Sequence, residues 1–297
     1  MNAGDVTIAI PTFNRGEILL QTIARLLAVE PRAKEIVVVD QTAAHPEAVE
    51  RSLRDFAQRG DIRLIRLPQP SIPHAMNTAL LEATTSLVLF LDDDVEPSAA
   101  LVSAHAAGFA DETTHAVVGQ ILQPGQSPQH HSRPADDLEF RFNHDEAVFI
   151  TNVMAGNLSV RRDRALAIGG FDENFVGAAY RFETDFALRL AAAGGRIRFE
   201  PHATLRHLQL ATGGLRSYGD HRTSASPLHA TGDYYFALRH RSDFWRYALR
   251  RMRRNVATRW HLRHPWFMAP KLIGELRGLR LAFALRRRGP ALLKGNR

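Results

Sequence analysis

The chain contains no cysteine among its 297 residues. Disulfides and thiolate metal sites are therefore excluded, so a bound metal would need carboxylate, imidazole or water ligands. Such ligands suit hard cations such as Mg²⁺ or Mn²⁺.

Long apolar segments are also missing. Uncharged apolar runs such as residues 86–91 are far shorter than the roughly 20 residues that a membrane-spanning helix needs. The amino terminus has no basic stretch followed by an apolar one, as a secretion signal would have. We therefore expect a cytoplasmic protein without a membrane span.

Two common nucleotide-binding signatures are absent. The first strand-like segment leads into residues 11–15, Pro-Thr-Phe-Asn-Arg, where a dinucleotide-dependent oxidoreductase has Gly-x-Gly-x-x-Gly. The Gly-Lys-Ser/Thr of a P-loop enzyme is also absent. The sequence thus argues against both classes.

Acidic residues are scarce only in the last part of the chain. With 45% hydrophobic and 23% charged residues, the composition fits one large globular domain or a domain with an appendage. The net charge of +7 is unevenly distributed, because residues 239–297 contain 17 Lys and Arg but only two acidic residues. The first 238 residues are net acidic.

Strand-like and helix-like segments alternate in the first third of the chain. Short apolar runs of strand length are followed by apolar residues spaced three and four apart, which is typical of helices. The predicted strands are 6–10, 36–39, 62–67 and 86–91, and the predicted helices are 19–27, 49–56 and 76–83. This alternation predicts an open α/β sheet that binds ligands at the carboxyl ends of its strands.

The remaining segments are more varied. We expect a helix after Pro97, a strand around 116–121, and a surface loop or lid over 124–146, where prolines and polar residues concentrate. From Phe244 onward, apolar residues at helical spacing predict two basic amphipathic helices.

Three adjacent carboxylates, Asp92, Asp93 and Asp94, follow the apolar run 87–91. Carboxylates so close together repel one another, and at the end of a buried strand they usually need a cation. The alternative is a solvated acidic turn that caps the following helix.

Four segments, in this order, resemble glycosyltransferase family 2. They are residues 6–15 (Val-Thr-Ile-Ala-Ile-Pro-Thr-Phe-Asn-Arg), 36–40 (Ile-Val-Val-Val-Asp), 90–95 (Phe-Leu-Asp-Asp-Asp-Val) and 169–173 (Gly-Gly-Phe-Asp-Glu). The resemblance covers roughly residues 5–215 and implies a GT-A fold, an α/β architecture with a Rossmann-like mixed sheet flanked by helices. It further implies a catalytic domain over 1–238, with a donor half at 1–123 and an acceptor half at 148–238, followed by a basic helical extension over 239–297.

The resemblance implies roles for the acidic triplet. In the family, the last carboxylate of this element coordinates a divalent cation that bridges the two phosphates of the donor, which makes Asp94 the expected ligand of Mg²⁺ or Mn²⁺. Asp92 is expected to face the ribose or donor sugar, and Asp93 the sugar or solvent. A bound cation would stabilise the charge of the departing diphosphate.

The expected base and diphosphate contacts come from other motifs. Asp40 resembles the aspartate that binds the nucleobase, and Pro11 and Phe13 lie in the turn that offers the base an aromatic face. The alternatives are that Asp40 caps a helix and that Phe13 packs in the core. Residues 74–77 resemble a family segment, Ala-Arg-Asn, that holds the diphosphate. Asn77 matches the asparagine of that segment, but Met76 stands at the position of its arginine. His74, Arg15 or Arg133 would then supply the positive charge.

The catalytic base is expected in residues 180–189. Aligning Asp185 and Arg189 with the family pattern puts Glu183 at the position of the carboxylate that deprotonates the acceptor hydroxyl. The alternative is that Glu183 and Asp185 only stabilise the first turn of a helix. Gly156 and Asn157 resemble the acceptor-side wall, to which we also assign Asp185, and His207 is expected to be a metal ligand.

These observations predict an inverting glycosyltransferase that moves a sugar from a nucleotide diphosphate sugar, with UDP favoured, to a glycan or lipid-linked acceptor. The alternatives are a nucleotide-sugar-binding protein without transfer activity and a metal-dependent sugar-phosphate hydrolase. The tail 239–297 could bind nucleic acid, pack on the catalytic domain or bind a membrane; its interleaved tryptophans favour the inner face of an anionic membrane and no nucleic acid.

Overall fold

The computed structural model describes residues 1–131, 142–209, 213–214 and 219–294. Its centre is a nine-stranded mixed sheet. The strands follow one another in the order Arg63–Arg66, Glu35–Asp40, Val6–Thr12, Leu87–Leu91, Asn157–Arg161, Thr114–Leu122, Arg196–His207 and Val95–Pro97, and Val148–Ile150 also pairs with Arg196–His207. Helices flank this sheet, as the α/β prediction requires. Residues 132–141 of the predicted lid 124–146, including Arg133, are outside the described residues.

The donor half is a parallel α/β unit. It contains β1 (Val6–Thr12), α1 (Glu17–Leu27), β2 (Glu35–Asp40), α2 (Glu47–Gln58), β3 (Arg63–Arg66), α3 (Ile72–Glu82) and β4 (Leu87–Leu91). β1 pairs in parallel with β2 and with β4, and β2 pairs with β3. The apolar side chains of β4 are buried along its whole length, as expected for a strand covered on both faces.

The second half extends this sheet with antiparallel and parallel pairs. Its elements are β5 (Val95–Pro97), α4 (Leu101–Ala107), β6 (Thr114–Leu122), β7 (Val148–Ile150), β8 (Asn157–Arg161), α5 (Arg162–Ala167), α6 (Phe182–Ala192) and β9 (Arg196–His207). β8 lies between β4 and β6, antiparallel to both. The helix predicted after Pro97 is α4, and the short strand β5 before it pairs with the far end of β9.

The last part of the chain is helical. It contains α7 (Thr231–His240), α8 (Phe244–Val256), α9 (Arg259–Arg263) and α10 (Met268–Arg288). The sequence predicted two helices after residue 243, whereas the structure has three, because Thr258 caps a new helix after the end of α8. Among the described helices, none is long and apolar enough to cross a membrane.

Buried polar contacts connect these helices to one another and to the rest of the fold. Glu275 of α10 is fully buried, pairs with Lys271 at 3.0 Å and accepts a hydrogen bond from Tyr234 of α7 at 2.7 Å. Further along, the backbone amide of Leu293 donates to the carbonyl of Gly169 at 2.8 Å. The predicted boundary between residues 238 and 239 falls within α7, and the division into two domains stays a prediction.

Candidate active site

A cavity of about 410 Å³ opens at the carboxyl ends of β1, β2 and β4. This is the edge at which α/β sheets bind ligands, because parallel strands end there beside one another. The lining combines an apolar wall with a charged end and comprises Pro11, Thr12, Phe13, Arg15, Gln41, Pro70, Ile72, Met76, Leu91, Asp92, Asp93, Asp94, Ala155, His207 and Gly214.

The charged end of the cavity is organised around Asp93. Its carboxylate accepts a hydrogen bond from Thr12 at 2.7 Å and pairs with the guanidinium of Arg15 at 3.0 Å. Burial raises the pKa of Asp93 to about 7, although Arg15 and Thr12 both oppose this shift. Arg15 also contacts Asp94 at 3.3 Å, so one buried arginine is shared between two members of the triplet.

Asp92, Asp94 and His207 form a group that could hold a metal ion. Each contributes one ligand atom, and these atoms all lie within 4.8 Å of one another. Nε2 of His207 is 3.0 Å from Asp94 and 3.7 Å from Asp92. The pairing of Val95 with His207 in the β5–β9 ladder brings the histidine next to the triplet, more than a hundred residues away along the chain.

The hydrogen bonds of His207 suit metal binding. Its Nδ1 is 3.1 Å from Oε1 of Gln123, and an amide oxygen can only accept, so Nδ1 carries the proton and Nε2 faces the carboxylates. Burial lowers the pKa of His207, but its hydrogen bond to Asp94 and the charge of Asp92 outweigh burial and raise it. Two carboxylates and an imidazole are ligands that fit Mg²⁺ or Mn²⁺.

Glu183 lies in the first turn of α6, beside the cavity. Its Oε1 accepts a hydrogen bond at 2.7 Å from the backbone amide of Ala155, a residue of the cavity wall. Burial raises the pKa of Glu183 to about 7, opposed by the Ala155 amide and reinforced by the charge of Asp92. A carboxylate with such a pKa is suited to accept a proton near neutral pH.

Gly156 allows the wall to approach the triplet. A Cβ atom at this position would lie 2.5 Å from a carboxylate oxygen of Asp92. Any larger residue would therefore displace Asp92, which explains the glycine in physical terms.

Backbone strain is concentrated around the same groups. Within the described residues, four non-glycine residues have positive φ: Asn14, Ala179, Arg181 and Gln209. They lie next to Arg15, shortly before Glu183, or just after His207. Such conformations persist only where the surroundings hold them, and they are commonly found at functional sites.

Asp40 is fully buried and does not line the cavity. Its carboxylate accepts hydrogen bonds from the amide of Thr42 and from His45, each within 2.8 Å, and it is paired with Arg66. The next residue, Gln41, lines the cavity instead. The base-binding role of Asp40 stays a prediction, and its contacts are those of a structural carboxylate.

His74 and Asn77 lie outside the cavity lining. His74 contacts Glu173 at 3.1 Å, and the side chain of Asn77 exchanges two hydrogen bonds, both of 2.8 Å, with the backbone of Phe171. Both side chains thus hold the loop 169–173. Their role in donor binding stays a prediction. Of the described side chains expected to supply positive charge to the diphosphate, Arg15 lies beside the acidic triplet.

Two predicted wall residues are also held by internal contacts. Asn157 is buried, with His105 at 2.7 Å from its amide oxygen and the carbonyl of Ala203 at 2.8 Å from its amide nitrogen. Asp185 is buried between Arg189, Arg239 and His240. Burial alone would raise the pKa of Asp185, but the His240 hydrogen bond and the arginine charges lower it.

Sequence reasoning missed part of the cavity wall. Gln41, Pro70, Ile72, Ala155 and Gly214 line the cavity without belonging to the expected site. Only Gln41 carried a signal, because it directly follows a strand that ends at the predicted ligand edge. The others are small or apolar residues, which nothing in the sequence distinguishes from core residues.

The mixed sheet and the carboxylate–histidine group at its ligand edge define a glycosyltransferase with a GT-A fold. The family model described as Glycosyl transferase family 2 matches residues 7–184, and the chain belongs to this family.

Two relatives and two solved structures place this chain among glycosyltransferases. The chain is 30% identical over 213 residues to the pre-mycofactocin glycosyltransferases of two Mycobacterium tuberculosis strains, CDC 1551 / Oshkosh and H37Rv. These matches cover 68% of this chain but only 42% of the length of those relatives.

The solved structures are similar in fold. A crystal structure of GalNAc-T7 with UDP, GalNAc and Mn²⁺ has a TM-score of 0.67 and 15% identity, covering 96% of this chain and 58% of that one. The mannosyltransferase PcManGT from Pyrobaculum calidifontis, in complex with GDP-Man and Mn²⁺, has a TM-score of 0.54 and 20% identity. This match covers 96% of the present chain and 74% of the PcManGT chain.

Proposed function

We propose that this enzyme transfers a sugar from a nucleotide diphosphate sugar, with a UDP-sugar favoured, to an acceptor hydroxyl with inversion at the anomeric carbon. The observation that carries the proposal is the grouping of Asp92, Asp94 and His207 within 4.8 Å of one another at one end of the cavity. Both solved fold relatives contain a nucleotide or nucleotide sugar together with Mn²⁺.

Asp92, Asp94 and His207 would hold Mg²⁺ or Mn²⁺. The cation would stabilise the negative charge that develops on the departing diphosphate. Arg15 adds a positive charge at the same end of the cavity, where its guanidinium contacts both Asp93 and Asp94. This arrangement compensates for Met76, which cannot supply the charge of the arginine that the family has at that position.

Glu183 accepts the proton of the attacking hydroxyl. The acceptor oxygen forms a bond to the anomeric carbon as the bond to the diphosphate oxygen breaks, and the proton moves to the carboxylate. A single displacement of this kind inverts the anomeric centre. General-base assistance of this type contributes roughly 10² to 10⁴ in rate.

The apolar wall of the cavity suits a nucleobase. Pro11, Phe13 and Ile72 provide flat or apolar surface on one side, while the amide of Gln41 is a polar group at the end of β2. Gln41 lines the cavity and Asp40 does not, so Gln41 is the better candidate to select the base.

A thermal-shift screen tests the donor assignment. UDP-, GDP- and dTDP-sugars are compared with Mn²⁺ and with chelator, since a ligand that binds the folded state raises the melting temperature in proportion to ln(1 + [L]/Kd). We expect the largest shift with a UDP-sugar and Mn²⁺. Equal shifts with and without chelator would contradict the metal assignment.

Transfer assays separate the proposal from its two alternatives. A nucleotide-sugar-binding protein would show the thermal shift without product, and a sugar-phosphate hydrolase would release sugar to water at the same rate with and without acceptor. We expect UDP release to depend on an added glycan or glycolipid acceptor.

We also propose that residues 239–297 dock the enzyme on the inner face of an anionic membrane, which would bring a lipid-linked or polysaccharide acceptor within reach. On α8, the side chains of Trp245 and Leu249 are 64% and 68% exposed and lie one turn apart. Arg246 and Arg250 are exposed directly beside them. An exposed apolar pair flanked by arginines is complementary to an anionic lipid surface.

The opposite face of α8 packs against α10, so the helix is held on the protein while its exposed face stays available. Arg251 contacts Glu275 of α10 at 3.3 Å, and Phe244 packs against Phe283 with ring centroids 5.6 Å apart. These contacts place α8 antiparallel to α10. Leu272 and Leu276 of α10 are exposed as well.

Vesicle sedimentation tests this docking. The full chain is expected to bind vesicles containing phosphatidylglycerol at low salt and to leave neutral vesicles unbound. Trp245→Ser with Leu249→Ser should weaken this binding, whereas Leu81→Ser, at a leucine of α3 that is 54% exposed, should not. Tighter binding to random duplex DNA than to anionic vesicles would refute the membrane assignment.

A further inference from the structure

The turn that precedes α6 has an unusual backbone. Ala179 and Arg181 have φ angles of 50° and 73°, so two non-glycine residues on either side of Tyr180 are in the left-handed region. This region is unfavourable for a residue with a Cβ atom, because the Cβ approaches the following carbonyl oxygen too closely. The carbonyl of Arg181 nevertheless accepts the first hydrogen bond of α6, from the amide of Asp185 at 2.9 Å.

The start of α7 holds this turn from the outside. A Cβ atom on Gly232 would lie 2.5 Å from the carbonyl oxygen of Tyr180, so the glycine allows the two backbones to touch. The next residue, Asp233, pairs through Oδ1 with Nε of Arg181 at 3.2 Å. Both side chains of this pair are mostly buried.

Asp233 is itself fixed by α8. The hydroxyl of Tyr247 donates to Oδ1 of Asp233 at 2.8 Å, and Arg251 pairs with its other oxygen. Arg251 is anchored in turn by a hydrogen bond to the carbonyl of His229 at 3.1 Å. The carboxylate of Asp233 therefore connects α8 to the turn before α6.

Glu183 is the second residue after Arg181. Its position depends on where α6 begins and on its hydrogen bond to Ala155 on the cavity wall. The charge of Arg181 also acts on Glu183, where it lowers the pKa against the effect of burial. A shift of the turn would thus move both the carboxylate and the charge next to it.

We propose that Asp233 is a positioning residue that holds the Tyr180–Arg181 turn in its strained conformation and so aims Glu183 at the acceptor hydroxyl. This inference rests on the proposed role of Glu183 as the general base. It assigns to the α7–α8 segment a part in the reaction that is separate from membrane docking, because the inner face of α8 contacts Asp233 while Trp245 and Leu249 are on its exposed face.

Asp233→Asn tests the inference, since asparagine keeps the size but loses the charge that binds Arg181. We expect kcat to fall by roughly 10- to 100-fold, as misplacement of a catalytic group by about 1 Å can cost a factor of this size. The KM for the donor should stay near wild type, because Asp233 does not line the cavity. Tyr247→Phe, which removes one hydrogen bond only, should give a smaller fall of the same kind.

Glu275→Gln is the matched control. Glu275 is more buried than Asp233 and accepts a hydrogen bond from Tyr234, which is on the same helix as Asp233. Its partners among the described residues are Tyr234, Lys271 and Arg251, which all lie outside the turn before α6. We expect this variant to lower the melting temperature as much as Asp233→Asn does and to keep kcat near wild type. An equal loss of kcat in both variants would reduce the Asp233 effect to stability alone and overturn the inference.

A double-mutant cycle with Glu183→Gln completes the test. If Asp233 acts through Glu183, adding Asp233→Asn to Glu183→Gln should lower transfer no further. Additive losses would overturn the positioning role while leaving Glu183 as the base. A Glu183→Gln enzyme that transfers sugar at the wild-type rate would overturn the general-base proposal, and the inference with it.

Discussion

Replacing Glu183 with glutamine should separate activity from stability. The pKa of this carboxyl is raised from 4.5 to about 7 by burial, so its ionised form, which catalysis requires, is the form that the fold disfavours. Glutamine keeps the shape and can still accept the hydrogen bond from the Ala155 amide, but it cannot take a proton. The variant should therefore lose transfer and gain stability at alkaline pH.

The sign of the stability effect follows from the proton balance. Below the unfolded pKa of 4.5 the carboxyl is protonated in both states and contributes nothing. As the pH rises from there to about 7, the unfolded chain releases its proton first, so the free energy of unfolding falls, and it stays lower at higher pH. At about 1.4 kcal/mol for each tenfold change in an ionisation constant, a shift from 4.5 to about 7 makes the loss at most roughly 3–4 kcal/mol.

Two assays check this prediction. Initial rates at saturating donor should fall by at least roughly 10² in Glu183→Gln at and above about pH 7. The wild-type rate should rise with pH up to about 7, so the difference between the two enzymes should narrow at lower pH. Chelator-treated protein, melted across the same pH range, should show Glu183→Gln more stable than wild type above about pH 7 and equal to it near pH 4. Near wild-type transfer, or a variant that is less stable at alkaline pH, would refute the reasoning.

Three further predictions concern the metal group and the donor half. Asp94→Asn should lose Mn²⁺-dependent UDP binding in calorimetry, and an affinity equal to wild type, indifferent to chelator, would exclude Asp94 as a ligand. Gly156→Ala should weaken Mn²⁺ binding at least several-fold, because the added methyl would lie 2.5 Å from Asp92; unchanged binding would mean that Asp92 is not a ligand. Asp40→Asn should lower the free energy of unfolding by about 1 kcal/mol in urea denaturation, because it removes one ion-pair partner from Arg66, which is 36% exposed and keeps its pair with Glu50. If Asp40→Asn unfolds like wild type but binds UDP more weakly, the carboxylate contacts the base.

The expectations that depend on local pattern agree with the structure. The apolar run before Asp92 is a buried strand, and the triplet follows it at the edge where β1 and β2 also end. Such features need only neighbours in sequence, because strand period and the direction of parallel pairing fix which end carries the ligand. The position of Glu183 in the first turn of a helix is local in the same sense.

Side-chain partners across the fold were harder to foresee. Asp40 and Asp185 are both buried carboxylates in family-like motifs, yet one pairs with Arg66 and the other with Arg239 and His240. A carboxylate that is free to bind a ligand and one that is neutralised by a distant arginine have the same local sequence. Only the packing of the elements distinguishes the two.

Strand and helix periodicity predicted the α/β class, and three consecutive carboxylates predicted the charged end of the cavity. The family followed from the resemblance of four motifs, which are local stretches of sequence. The tertiary structure showed how His207, already expected as a metal ligand from the family resemblance, reaches Asp92 and Asp94, since that contact requires β9 to return along β5. It likewise decided that Asp233 reaches the turn before Glu183. Contacts of this kind bring together residues far apart in the chain, and they are set by how the whole core packs rather than by any local preference.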